Sequence, residues 1–343
     1  MIILGIETSC DETAAAVVED GVKELCSVVA SSKEFHEKTG GIVPEVAARK
    51  QVEAMVPVIA ECFEKYRLAK GFDSKEKCYE TIDAVAVTVG PGLIGSLVVG
   101  IEAAKALSLF LTKPLIPVNH LVGHIYGNFV DNPETVEFPA VVLVVSGGHT
   151  DLILMKNHGE FEYLGGTLDD AAGEAYDKVA RLLGLSKYLG GALLSKKALE
   201  CKENLAKGKL PRPMIDQDNF DFSFAGLKTA AKRMIESGEY PAEVVAKEFE
   251  EAAVEVLVNK TIKAVKKFHV KTLMLGGGVS ANTFLRAEIK KEADEIGVKT
   301  QIPAFKFCTD NASVIASAAF FNSKARKYEE IEVNPSLGIM DLV

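Results

Sequence analysis

Ile2-Ile-Leu-Gly-Ile-Glu7, then Thr8-Ser-Cys-Asp-Glu12, then Thr13-Ala-Ala-Ala-Val-Val18, with Asp20-Gly21 ahead of Val22 to Val29, is the stretch whose reading decides the fold. Apolar runs of this length bounded by small and polar residues predict strands, and Asp-Gly between the last two is a strong hairpin signal. The pattern returns as Ala140 to Val145, Ser146-Gly-Gly-His-Thr150, Asp151 to Met155, His158-Gly159 and Glu160 to Leu164. Ser9 precedes Gly21 by 12 residues and Ser146 precedes Gly159 by 13. Each copy also predicts a later buried strand that runs into a glycine-rich loop and a helix. These are Asp83 to Val89 before Gly90-Pro-Gly-Leu-Ile-Gly95, and Thr272 to Leu275 before Gly276-Gly-Gly-Val-Ser280. The chain therefore reads as an internal duplication. Ser9 lies 81 residues before Gly90 but Ser146 lies 130 before Gly276, so the second half carries an insertion, placed at 170–233.

A chain of 343 residues exceeds the size at which one core divides, so two lobes are expected. The first would span 1–115, completed by a C-terminal helix at 325–343, and the second 116–324. Apolar residues at helical spacing, Val52, Val56, Ile59 and Phe63 after Pro44, and Val245, Phe249, Ala253 and Val256 later, predict long helices. Two lobes that each open with a three-stranded unit and a small-residue loop describe a duplicated α/β fold of the actin, Hsp70 and sugar-kinase type, with a helical insertion in the second half. In that fold such loops present backbone N–H groups to nucleotide phosphates. One glycine-rich turn alone is more often only a turn; the pairing carries the reading.

The net charge of −9 argues against indiscriminate coating of nucleic acid or membrane. From Lys187 to Arg233, however, ten Lys or Arg stand against five Asp or Glu. Lys207, Lys209, Arg212, Lys228, Lys232 and Arg233 are thus candidates for a local phosphate-binding patch; solvated helix faces are the alternative. The six cysteines include no C-x-x-C pair, which suits a reducing cytoplasm. No basic or cleavable leader is seen at the start. The apolar stretch 84–111 is broken by Gly90-Pro91-Gly92 and carries Glu102 and Lys105, so it reads as strand, turn and helix and not as a membrane span.

His120-Leu-Val-Gly-His124 would place two imidazoles on one helix face about 6 Å apart. That spacing suits one metal ion, with Asp310 of Cys308-Thr-Asp-Asn311 as a third ligand, and leaves open positions of the kind Fe²⁺ or catalytic Zn²⁺ uses. Alternatively the histidines are polar residues at a helix start, and Thr309 or Asp310 caps the helix that follows. A zinc peptidase is disfavoured, since Leu121 stands where its glutamate belongs.

With these residues in hand, ten ordered stretches resemble the TsaD family, the tRNA N6-adenosine threonylcarbamoyltransferases once called O-sialoglycoprotein endopeptidases. They are 5–13, 40–45, 90–93, 120–124, 144–150, 169–178, 211–214, 221–228, 277–282 and 308–311. The resemblance implies that His120, His124 and Asp310 hold one Fe²⁺, or Zn²⁺. It also implies that Val144, Val145, Ser146, Gly147, Gly148, Asp177, Gly191 and Asn282 bind threonylcarbamoyl-AMP, in a site that ATP or AMP can also occupy. The threonylcarbamoyl group would pass to N6 of adenosine 37 in tRNAs reading codons that begin with A, with Asp11 and Glu12 assisting proton transfer unless they are a solvated turn pair. Without the resemblance, Asp177 reads equally as an ion-pair partner of Lys178 or Arg181, and Gly191 as a turn residue. Implied partners are tRNA and accessory TsaB-like and TsaE-like subunits, or a second copy of the chain, in a bacterial cytoplasm without membrane attachment. The sequence departs from the family at Tyr188-Leu-Gly-Gly-Ala192, where the family usually has prolines on both sides of the glycines and this chain has none, and at Gln51, where the family frequently has His. Other readings are a sugar kinase of the same fold, which has no use for imidazole ligands, and an ATP-gated binding module, which has no use for Asp310.

Overall fold

The computed structural model describes residues 1–132 and 136–341. The chain opens with β1 (Ile2–Glu7), β2 (Glu12–Glu19) and β3 (Lys23–Ser31), the last two joined where Asp20 (φ 53°) and Gly21 (φ 69°) turn left-handed. It continues through α1 (Lys33–Thr39), α2 (Pro44–Lys70), α3 (Lys75–Thr81), β4 (Ala84–Gly90), α4 (Ile94–Leu111), β5 (Leu115–Asn119) and α5 (His120–Tyr126). The second copy brings β6 (Ala140–Val145), β7 (Thr150–Asn157), β8 (Glu160–Gly166), α6 (Ala172–Leu182), α7 (Gly191–Leu199) and α8 (Ala225–Ser237). After these come α9 (Ala242–Phe268), β9 (Thr272–Gly276), α10 (Thr283–Glu295) and β10 (Lys299–Gln301), and α11 (Ala312–Asn322) is the last helix.

The duplication is explicit in the sheets, ordered β3-β2-β1-β4-β5 and β8-β7-β6-β9-β10. In each the first three strands are antiparallel and the last two join in parallel. β4 is buried along its whole length, as the unbroken apolar run of a parallel strand covered on both faces requires.

By contacts the chain divides into Met1–Thr135 with Pro303–Val343, and Val136–Ile302. This differs from the boundaries expected from sequence. Residues 116–132 stay with the first unit because β5 pairs with β4 and carries α5 at its end. Residues 303–324 return to it because α11 packs on β1, β2 and α5, burying Val314 and Ile315 almost completely. Each such side chain stabilises by roughly 1.5–3 kcal/mol. The approach is close: a Cβ at Gly5 would collide with the Ala312 carbonyl and lie 3.1 Å from Ala316 Cβ. The expected C-terminal helix is replaced by a 3-10 turn at Tyr328–Glu330 and a bridge between Arg326 and Leu115.

The stripe of α2 that faces its sheet only partly matches the one the apolar spacing marks: Phe63 is buried and Ile59 packs partly against the core. Gln51, Met55, Val58, Cys62 and Tyr66 are buried, whereas Val52 and Val56 are 63% and 72% exposed. α4 is long and apolar enough to cross a membrane by length and composition, and it lies against β4 and α2.

In the second unit the insertion is pinned to α9 by two buried charges. Lys260 donates to Asn219 O and Oδ1, both at 2.9 Å. Glu248 accepts from Arg212 (2.5 Å), Leu210 N (3.1 Å) and Asn204 (3.0 Å).

Candidate metal centre and nucleotide loops

α5 begins at His120 because Asn119 caps it, its side chain accepting from Leu121 N at 3.0 Å. His120 and His124 are therefore one helical turn apart, with ring centroids at 4.5 Å. Asp310 precedes α11, but the capping residue is Asn311, which accepts from Val314 N at 3.1 Å. The carboxylate of Asp310 is thereby left to face the imidazoles, at 3.5 Å from His120 Nε2 and 3.6 Å from His124 Nε2. One ligand atom from each of the three lies within 4.8 Å of the others. Metal bonds of about 2.0–2.1 Å at tetrahedral angles put neighbouring donors about 3.3 Å apart, so two imidazoles and a carboxylate at these separations fit a small divalent ion, which would take the place of the ring proton on His120 Nε2.

The residue that completes this arrangement is Glu7, to which the sequence reading gave no role. At the buried end of β1 it accepts from His120 Nδ1 (3.0 Å), Ser9 N (2.5 Å) and Thr88 Oγ1 (2.5 Å). Ser9 Oγ stands 3.3 Å from the same ring nitrogen. A carboxylate on Nδ1 orients the ring and raises the basicity of Nε2, as is usual behind a metal-binding histidine. Burial pushes the Glu7 carboxyl up, but the charge and bond of His120, with the Ser9 and Thr88 bonds, outweigh it and bring it to about 2. For His120, burial lowers the pKa, and Glu7 and Asp310 more than offset that, lifting it to about 9. Asp310 is pushed up to about 6 by burial, against the pull of His120 and with the push of Glu7 and Asp11. The signal in the sequence was a lone acid ending an otherwise apolar strand.

Asp11 and Glu12 are not a solvated turn pair. Asp11 is buried, and Glu12 is partly buried with its carboxyl pushed up to about 7 by burial and by Asp11 and Asp310, against the bond from Ser31.

The other predicted set lies in the second unit. Val144 and Val145 are wholly buried within β6, so they offer backbone and not side chains. Ser146 follows at the strand end, its hydroxyl accepting from His149 N at 3.1 Å. Gly147 and Gly148 are exposed with open space where a Cβ would stand. The start of α6 closes on this loop at Gly173, whose N–H reaches Ser146 O at 3.2 Å. Asp177 Oδ1 accepts from Gly191 N (2.8 Å) at the start of α7, while Lys178 pairs with Asp170 (2.9 Å) and Glu174 (2.8 Å). Asn282 caps α10 through Leu285 N (2.9 Å) and donates to Glu250 (2.8 Å) and Ser195 (3.0 Å). Leu189 adopts φ 49°, which a proline near −65° cannot, so this loop as folded has no place for a proline at 189.

Half of the basic candidates are committed internally. Arg212 pairs with Glu248 (2.5 Å) and Glu255 (2.8 Å), Lys228 with Asp170 (2.5 Å), and Lys232 with Glu236 (3.7 Å). Lys207, Lys209 and Arg233 are exposed.

Residues 23–317 match the model of the family TsaD, tRNA N6-adenosine threonylcarbamoyltransferase. The chain belongs to this family. Similar members of the family are a tRNA N6-adenosine threonylcarbamoyltransferase of Syntrophomonas wolfei, 48% identical over 98% of this chain and 97% of that one, and one of Bacillus subtilis, 47% identical over 93% and 89%. Among solved structures, HypF of T. kodakarensis is 15% identical over 93% of this chain and 47% of that chain, with a TM-score of 0.61. The ADPNP-bound activator of 2-hydroxyisocaproyl-CoA dehydratase from Clostridium difficile is 16% identical over 93% and 94%, with a TM-score of 0.51. These two share the duplicated fold with this member of the transferase family.

Proposed function

We propose that this transferase passes the threonylcarbamoyl group of threonylcarbamoyl-AMP to N6 of adenosine 37, in tRNAs reading codons that begin with A, and releases AMP. Near-full-length kinship with the named transferases supports the reaction class. The observation that carries the metal dependence is the His120, His124 and Asp310 triad with Glu7 behind it. Fe²⁺ or Zn²⁺ suits two imidazoles and one carboxylate, and when bound it supplies Lewis-acid polarisation of a substrate oxygen.

Glu7 holds His120 with its Nε2 turned to Asp310. Glu12, poised at about 7, takes the proton that N6 sheds as it attacks, because a base with a pKa near the working pH transfers protons most effectively. In the second unit, the N–H groups of Gly147 and Gly148 meet the phosphate of AMP, and Asp177 accepts from ribose hydroxyls. Exposed Lys207, Lys209 and Arg233 supply contacts to tRNA phosphates, and accessory subunits supply the remaining basic surface. The test is reconstitution: the chain, threonine, bicarbonate, ATP, the adenylate-forming enzyme and the accessory subunits are incubated with tRNA, and nucleosides are read by mass spectrometry. Conversion of adenosine 37 is expected; none with every subunit present would sink the proposal.

A further inference from the structure

The loop between β1 and β2 has its carbonyls turned inward and taken one by one. Ser9 O accepts from Leu93 N (2.8 Å), and Asp11 O from both Ser32 N and Ser32 Oγ (2.9 Å each). The remaining three converge on one side chain, although Cys10 O also accepts from Ser96 Oγ at 3.2 Å. Gln51 Nε2 stands 3.1 Å from Thr8 O, 3.1 Å from Cys10 O and 3.0 Å from Glu12 O. Gln51 is wholly buried near the start of the inner stripe of α2, and its Oε1 has no hydrogen-bond partner. The amide orientation follows from the network, since a flipped amide would set its oxygen against three carbonyl oxygens. Two N–H bonds thus serve three acceptors, and the amide oxygen stays unsatisfied, an arrangement that costs stability at a buried site. Packing alone would be met better by Leu or Met.

We infer that Gln51 is a positioning residue: by gathering the carbonyls of Thr8, Cys10 and Glu12 it fixes the loop that holds Ser9 and Glu7 against His120. The links are short. Ser9 sits between two of the gathered carbonyls, its N–H is bound by Glu7, and its hydroxyl stands beside His120 Nδ1. Glu12 is the third carbonyl's own residue, so the same amide sets where that carboxyl emerges. The effect on the metal rests on the metal-dependent reading above; the pinning of the loop does not.

Two measurements separate them. Gln51→Met keeps the length and removes both N–H groups, and Gln51→His returns a ring N–H. Hydrogen exchange of the amides in 8–13 is expected to quicken about tenfold in Gln51→Met, as loss of a buried hydrogen bond allows, with β6 unchanged. Cobalt(II), added alone and followed by its visible spectrum, should bind about tenfold more weakly, the low end for a support behind a metal-bound imidazole. Gln51→His should recover most of both. Unchanged exchange in 8–13 would overturn the inference, and quickened exchange with unaltered cobalt binding would confine Gln51 to the loop and overturn its role at the site. If the wild-type chain takes up no cobalt, the metal reading fails and exchange alone decides the pin. Should Gln51→Met not fold, Gln51→Asn, which withdraws the amide by one methylene, is judged by the same outcomes.

Discussion

The two sheets share one strand order, yet the last residue of the leading strand is Glu7 in the first and Val145 in the second. From that difference the loops diverge. After Glu7 the chain is acidic, largely buried and clamped by its carbonyls, and it backs the His120 imidazole. After Val145 it is a half-buried Ser146 followed by Gly147 and Gly148, exposed and free of side-chain bulk. On the proposed function, a duplicated frame serves a cation at one site and an anion at the other. The lesson is that the sheet dictates where a loop stands and one strand-end residue dictates the sign of what it suits.

If that division holds, the largest effect belongs to His120→Ala, which should weaken metal binding by more than about 100-fold, beyond what an outer partner costs. Glu7→Gln should follow at about 10–100-fold. Metal analysis of the purified variants checks both, and AMP affinity should stay at the wild-type value. The insertion that only the second copy carries sharpens the contrast further. Arg212→Ala breaks a buried pair and should destabilise the protein by about 3 kcal/mol in denaturant melts. Lys207→Glu with Lys209→Glu should leave melts unchanged and weaken tRNA binding chiefly at low salt. Next, Gly148→Asp puts a charge where the anion would sit and should weaken AMP binding about tenfold by calorimetry, with metal content intact.

The smallest effect concerns Asp151, on β7 opposite Val144, whose carboxyl burial pushes up to about 6 against the bond from Tyr163. A folded pKa above the unfolded value means that stability is greatest at low pH and is lost as pH rises through 6. Asp151→Asn should therefore raise the melting temperature at pH 8 and not at pH 4; a gain of equal size at both would show that burial of the charge is not the cause.

The duplication, most strand limits and the His120–His124 spacing were legible because periodicity, hairpin dipeptides and residue chemistry are local signals, whereas Asp310 stood open between ligand and helix cap until the family resemblance grouped it with them. The unit boundary was not. Assigning α5 and α11 to the first sheet depends on β5 pairing with β4 and on small residues meeting at Gly5, which are contacts between distant segments. Likewise, charge counting marked Arg212 as surface without showing that Glu248 waits for it beneath. Gln51 and Asn282 lie in the same class, since a polar residue on a helix reveals its partners only when loops far along the chain are brought to it.

Gly5 sets how deeply α11 can seat on β1, and Asp310 rides at the head of that helix. The bare hydrogen at position 5 thus acts as a depth stop for a carboxylate more than three hundred residues away in the chain. An alanine there would be felt as a gap opening between Asp310 and the imidazoles, so one methyl group in a strand would be written out as a looser grip on an ion.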